Sequence, residues 1–293
     1  MRTLIPLFFL TLVLSLLFGG VQQACRRALE RRPSAVFLAP ALLSGAFCLI
    51  LWYYGALGPP IVALILAFTF VPTAAAFLQG TRTQRPSALD FVTILFLWLP
   101  LELTVGRDLI PVPIRGLVHQ AVYGIAVTLA LTLFLLFRGL GGMKYRWPNG
   151  LRDFLYPLIG FAAVAPVLML LGLALKFIEP FHTGANVTAA WLAARYVLIL
   201  AGVALPEEIL FRALIQNWLF QRLGETNRTL LVASLIFGAA HLNNAPGPLP
   251  NWRYMILATI AGFAYGKVFQ KGSSVFASAF LHALVNTVRH GFF

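Results

Sequence analysis

The sequence predicts an all-α fold, a polytopic transmembrane helical bundle of about eight to ten spans. Hydrophobic residues make up 60% of the 293-residue chain and charged residues only 11%, giving a mean hydropathy of +0.85. Apolar runs of about 17 to 25 residues recur along it, the length that crosses a hydrocarbon core of roughly 30 Å. Backbone polar groups in lipid must be satisfied within their own segment, so such runs are helices.

The expected spans are residues 4–21, 35–55, 59–79, 88–105, 117–137, 153–178, 189–222, 229–245, 254–270 and 275–292. The first resembles a signal peptide, but Arg26, Arg27, Arg31 and Arg32 follow it and no small-residue cleavage site precedes them, so it reads as a retained span. Fourteen basic residues, Arg82 among them, fall in the odd-numbered loops, and seven, including Arg2, lie on the other face. That asymmetry places the odd loops in the cytoplasm. The net charge of +13 is dispersed over these short loops, so membrane lipid is the expected partner and nucleic acid is not. Cys25 and Cys48 are too few for a disulfide framework or a cysteine zinc site. The Gly-rich basic stretch from Arg138 to Arg152 reads as a linker, dividing the chain into an N-terminal transmembrane region of unassigned role (1–150) and a chemically equipped region (151–293).

Only nine acidic residues occur, yet Glu207 and Glu208 stand side by side in an apolar run. Ionisable groups there cost several kcal/mol unless paired or hydrated, and suggest function. Glu208 and Arg212, at i and i+4, are positioned to pair along one helix face. Glu207 is rotated about 100° from Glu208 and points elsewhere, toward a cavity. Carboxylates in unlike environments are suited to acid/base chemistry. Phe237 and His241 share a face at i, i+4, with the aromatic beneath the imidazole; His282 and Asn286 do the same. Gly224 reads as a helix cap at a turn between antiparallel helices. Glu207 and His241 each lie 17 residues from it, at equal depth roughly 25 Å from the bend.

Plainer readings stay open: a Glu207–Glu208 pair near the interface, a His241 bonded to a backbone carbonyl, and His282 and Asn286 as interhelical hydrogen-bonding groups. Tyr254 and Trp252 fit an aromatic belt, and Arg289 and His290 fit the interface.

Together, Glu207-Glu208-x-x-x-Arg212, Phe237-x-x-x-His241 and His282-x-x-x-Asn286 resemble the CPBP (ABI) family of intramembrane proteases, which includes the type II CAAX prenyl endopeptidases. The resemblance covers about residues 153–293. It implies an intramembrane endopeptidase in which Glu207 is general base, His241 helps bind and polarise the water, Glu208, Arg212 and Phe237 support them, and His282 and Asn286 stabilise the oxyanion. No cofactor is expected; zinc held by Glu207, His241 and His282 is the alternative, although a His-Glu-x-x-His pair is lacking. The implied substrate is a membrane-associated or prenylated peptide or protein, and the expected location is a multi-pass position in a bacterial inner membrane. Two rival functions remain: a proton-coupled transporter, and a catalytically idle scaffold or immunity protein.

Overall fold

The computed structural model describes residues 4–81, 85–182, 187–244 and 248–293; Arg2 and Arg82 of the charge pattern lie outside them. Every regular element among the described residues is helical, and each of the ten expected segments lies on one or more helices. The chain forms two compact units, Met1–Gly142 and Met143–Phe293.

In the first unit, α1 (Leu4–Ser15) stops short and the chain turns by 83° into α2 (Gly19–Arg31). The basic cluster expected in a loop therefore sits on a helix, where Arg26 donates to the Leu135 carbonyl at 3.1 Å. Next come α3 (Leu38–Tyr53), α4 (Pro59–Leu78), α5 (Ala88–Glu102) and α6 (Arg115–Ala130), the last running on into a π-helical stretch, Leu131–Phe137. The second unit begins with α7 (Arg152–Ala174). Among the described residues, four helical segments are long and apolar enough alone to cross a membrane: Pro33–Tyr53, Pro59–Leu78, Val112–Phe137 and Arg152–Ala174, with the bent α1–α2 pair as a fifth. The other expected segments are shorter, as α5 is, or carry the polar side chains of the second unit. Leu158 and Leu170 of α7 are 58% and 72% exposed, a surface suited to lipid rather than water.

Both ends of the expected linker are anchored. Arg138 is buried in the first unit, with Nε 3.0 Å from Asp90 Oδ1 and Nη2 3.2 Å from Oδ2. Its Nη1 donates to the carbonyls of Gln79 (2.9 Å) and Gly80 (2.6 Å). Asp90 is fixed in turn by a capping box with Ser87, whose N–H donates to Asp90 Oδ2 at 2.7 Å while Ser87 Oγ accepts from the Asp90 N–H at 3.0 Å. The ends of α4, α5 and α6 are thereby tied at one point.

The residues after Gly142 dock onto the second unit, which explains why the structural division falls before residue 150. Lys144 Nζ donates to the carbonyls of Phe269 (2.8 Å), Gln270 (3.0 Å) and Gly272 (2.9 Å), where a helix ends and needs donors. Burial lowers the pKa of this loop lysine. Arg146 Nε donates to the Ser273 carbonyl at 2.8 Å, and Trp147 stacks on Phe276 at 6.0 Å.

Replacing Asp90 by Ala strands Arg138 in the interior and is expected to cost about 3–5 kcal/mol. Thermal unfolding of the detergent-purified protein checks this: Asp90→Ala lowers Tm strongly, whereas Asp90→Leu/Arg138→Met recovers most of the loss.

Candidate active site

From Ala189 to Leu223 the chain is continuously helical but changes its winding. It runs as α8 (Ala189–Ile199), a π-helical stretch (Leu200–Ala204), α9 (Leu205–Glu208), a second π-helical stretch (Ile209–Gln216) and α10 (Asn217–Leu223). Pro206 has no N–H to give the Gly202 carbonyl, and the hydrogen-bond ladder is re-phased around it. The two glutamates occupy the short α-helical turn between the widened ones.

At Gly224 (φ 89°) the chain adopts a conformation that a side chain would strain, and it reverses into α11 (Asn227–Ala239). The hairpin is in register: Phe211 and Phe237, each thirteen residues from Gly224, meet edge-to-face at 4.9 Å. Two further helices, α12 (Trp252–Lys271) and α13 (Val275–Phe292), complete the site.

Glu208 and Arg212 are fully buried and paired, with Arg212 Nε 3.0 Å from Glu208 Oε2. The other Glu208 oxygen lies 3.1 Å from His282 Nδ1. The Arg212 guanidinium sits 4.8 Å from the Phe237 ring centre and 5.9 Å from that of Tyr265, which compensates in part for burial of Nη1 and Nη2 without hydrogen-bond partners. Room for these long side chains comes from Gly262 and Gly266 on α12. A Cβ at Gly262 would lie 3.4 Å from Arg212 Nη2, and one at Gly266 would lie 2.5 Å from Gln216 Oε1.

Glu207 lies apart from the Glu208–Arg212 pair and does not line the cavity beside His241 and His282. Its side chain is 22% exposed, and Oε2 lies 3.9 Å from His282 Nε2. The imidazole beside it is thus that of α13, while His241 lines an adjacent cavity. His241 Nδ1 bonds to the Phe237 carbonyl at 2.8 Å. A carbonyl only accepts, so Nδ1 carries the proton, and in the neutral ring the Nε2 lone pair is available.

Aromatic rings hold both imidazoles. Phe237 contacts His241 (4.8 Å) and His282 (5.9 Å), Tyr254 meets His241 edge-on at 4.5 Å, and Tyr265 stacks on His282 at 4.7 Å. Tyr254 and Arg289 therefore do not serve the membrane belt and interface expected of them: the Arg289 guanidinium lies 4.9 Å from the Tyr254 ring, and both line the cavity. Tyr254 and Tyr265 are eleven residues apart on α12, close to three helical turns, and that spacing was the available signal. Trp252, 47% exposed and stacked with Arg253 at 5.5 Å, keeps the outward position.

The cavity measures about 90 Å³, room for several waters, and is lined by His241, His282 and Asn286 together with Phe161, Met169 and Phe177. Asn286 lies one turn beyond His282 on α13. Among the described residues no group of three or more His, Cys, Asp or Glu side chains is arranged to hold a metal ion.

Residues 189–288 match the family model of the type II CAAX prenyl endopeptidase Rce1-like domain, a stretch that contains Glu207, Glu208, Arg212, Phe237, His241, His282 and Asn286. No curated protein and no solved structure matches the chain. The matched segment, about a third of the chain, is similar to the CAAX protease-like family.

Proposed function

We propose that the chain is an active intramembrane endopeptidase that hydrolyses a peptide bond with a water activated by Glu207. The observation that carries this reading is the unequal treatment of two adjacent carboxylates: Glu208 is sealed between Arg212 and His282, whereas Glu207 is partly exposed beside His282.

In the proposed reaction Glu207 accepts a proton from water as the water oxygen attacks the scissile carbonyl carbon. The Nε2 lone pair of His241 accepts a hydrogen bond from the water's other O–H, which stays on the oxygen, and so orients the water. Negative charge develops on the carbonyl oxygen. The Asn286 amide and, in its protonated form, His282 Nε2–H are the donors for it. The intermediate collapses with cleavage of the C–N bond, and the proton held by Glu207 passes to the leaving amine. Glu208 holds His282 through Nδ1, and Arg212 holds Glu208. No metal enters the proposed reaction. The substrate proposed is a membrane-associated peptide or protein, prenylated tails being one class suggested by the family description, and the membrane is taken to be a bacterial inner membrane.

The direct test compares peptide termini in membrane fractions of cells expressing wild type or Glu207→Gln at equal levels. Termini present only with wild type support the reading and identify the substrate. Identical profiles would sink it in favour of an idle scaffold or a proton relay. Glu207→Gln is expected to abolish cleavage with Tm unchanged within a degree or two, since Glu207 is not part of the sealed pair.

Arg212→Leu is expected to behave differently. It leaves Glu208 buried without its guanidinium, a loss on the order of 3–5 kcal/mol, so Tm and activity fall together. Full activity with unaltered melting in that variant would contradict the supporting role given to the pair.

A further inference from the structure

A second cavity lies far in sequence from the glutamates, entirely within the first unit. It has a volume of about 530 Å³, within the usual range for a small-molecule site. Its walls are apolar and come from α3, α4, α5 and α6, with Phe47, Ile61, Phe68, Phe96 and Leu101 among them. Its lining also includes Arg107, Arg115 and His119, which come from the connection between α5 and α6 and the first turns of α6.

Within that connection, Thr104 (φ 50°) and Gly106 (φ 77°) turn the chain sharply after Glu102 and bring Arg107 to the cavity lining. Arg115 is steadied through Nε, which donates to the Ile110 carbonyl at 3.0 Å. Its contact with Asp108, at 3.8 Å, is weak, since the Asp108 side chain is wholly exposed. In the same connection, Leu103, Leu109 and Val112 are 61%, 46% and 70% exposed. Exposed apolar side chains beside paired guanidiniums mark a segment at the level of lipid headgroups.

From this juxtaposition we infer that the first unit binds one membrane phospholipid with an anionic headgroup, its hydrocarbon chain inside the α3–α6 cavity and its phosphate against Arg107 and Arg115. Apolar walls favour the chain over water, and guanidinium groups offer phosphate oxygens charge-assisted hydrogen bonds. A hydrophobic peptide segment would fill the volume equally well but would leave the two cations unmatched. The inference does not depend on the proposed protease chemistry.

The test is native mass spectrometry of the full chain, purified in detergent and supplemented with equal amounts of phosphatidylglycerol and phosphatidylcholine. Wild type is expected to retain phosphatidylglycerol in about thirtyfold preference, the scale that two basic side chains near a membrane surface confer. Arg107→Gln/Arg115→Gln is expected to retain both lipids about equally. Gly116→Phe is expected to retain neither, because Gly116 lines the cavity and a Cβ there meets open space, so the ring takes the volume of the chain. Equal retention of the two lipids by wild type, unchanged retention by Gly116→Phe, or a bound peptide mass in place of lipid would each overturn the inference.

Discussion

A charge withdrawn from water must find its compensation inside the protein, and the second unit is arranged around one such charge. Glu208 has no exposed side-chain surface; Arg212 and His282 are its partners. Meeting that demand fixes much else. Arg212 requires the absence of side chains at Gly262, and its guanidinium requires the faces of Phe237 and Tyr265. His282, held at Nδ1 by Glu208 and stacked by Tyr265, is left with a single orientation for Nε2. The close packing of α11 on α12, and the position of α13 against α9, express in helix geometry the cost of an unpaired carboxylate.

Glu207 acquires its character from the same arrangement. Neighbouring residues on one helix share a backbone but not a direction, so Glu207 stands outside the Glu208–Arg212 pair, its side chain partly exposed and its Oε2 buried against α13. There its oxygen stands 3.9 Å from an imidazole whose other nitrogen is already committed. The widened turns on either side of α9 add a further constraint, since they set where the two carboxylates emerge. Pro206 makes that re-phasing necessary, and neighbouring helices make it tolerable.

Much of this was legible in the sequence, because the signals involved are local. The i, i+4 pairing of Glu208 with Arg212 and the cap at Gly224 take the predicted form, and His241 makes the backbone-carbonyl bond of its plainer reading. What periodicity could not supply is direction across helices. It matched Glu207 with His241 by depth alone and gave no sign that α13 brings His282 Nε2 within 3.9 Å of Glu207. It assigned Tyr254 and Arg289 to the membrane surface by their nearness to span ends, whereas tertiary packing folds them over His241 and the cavity. The Arg138–Arg152 stretch reads as slack by composition, yet Lys144 caps a helix end and Arg138 is saturated in the interior. Composition records which residues are present and is silent about the acceptors that folding delivers to them.

The two buried arginines show why an acidic residue in an apolar segment is not by itself a functional site. Asp90 in α5 meets that description as well as Glu208 does. Around it, however, all five donors of Arg138 are occupied: Nε and Nη2 bind the two Asp90 oxygens, Nη1 binds two carbonyls, and Nη2 also reaches Gln79 Oε1 at 3.5 Å. A saturated pair has nothing left to offer a substrate and acts as a staple between helix ends. Arg212 differs, for only Nε is used on a carboxylate, and both terminal nitrogens rest against aromatic faces without hydrogen bonds. Glu208 likewise divides its oxygens between the arginine and a histidine that borders the cavity. Incomplete saturation next to a cavity, rather than burial of charge alone, distinguishes the candidate site of the second unit from the ion pair of the first.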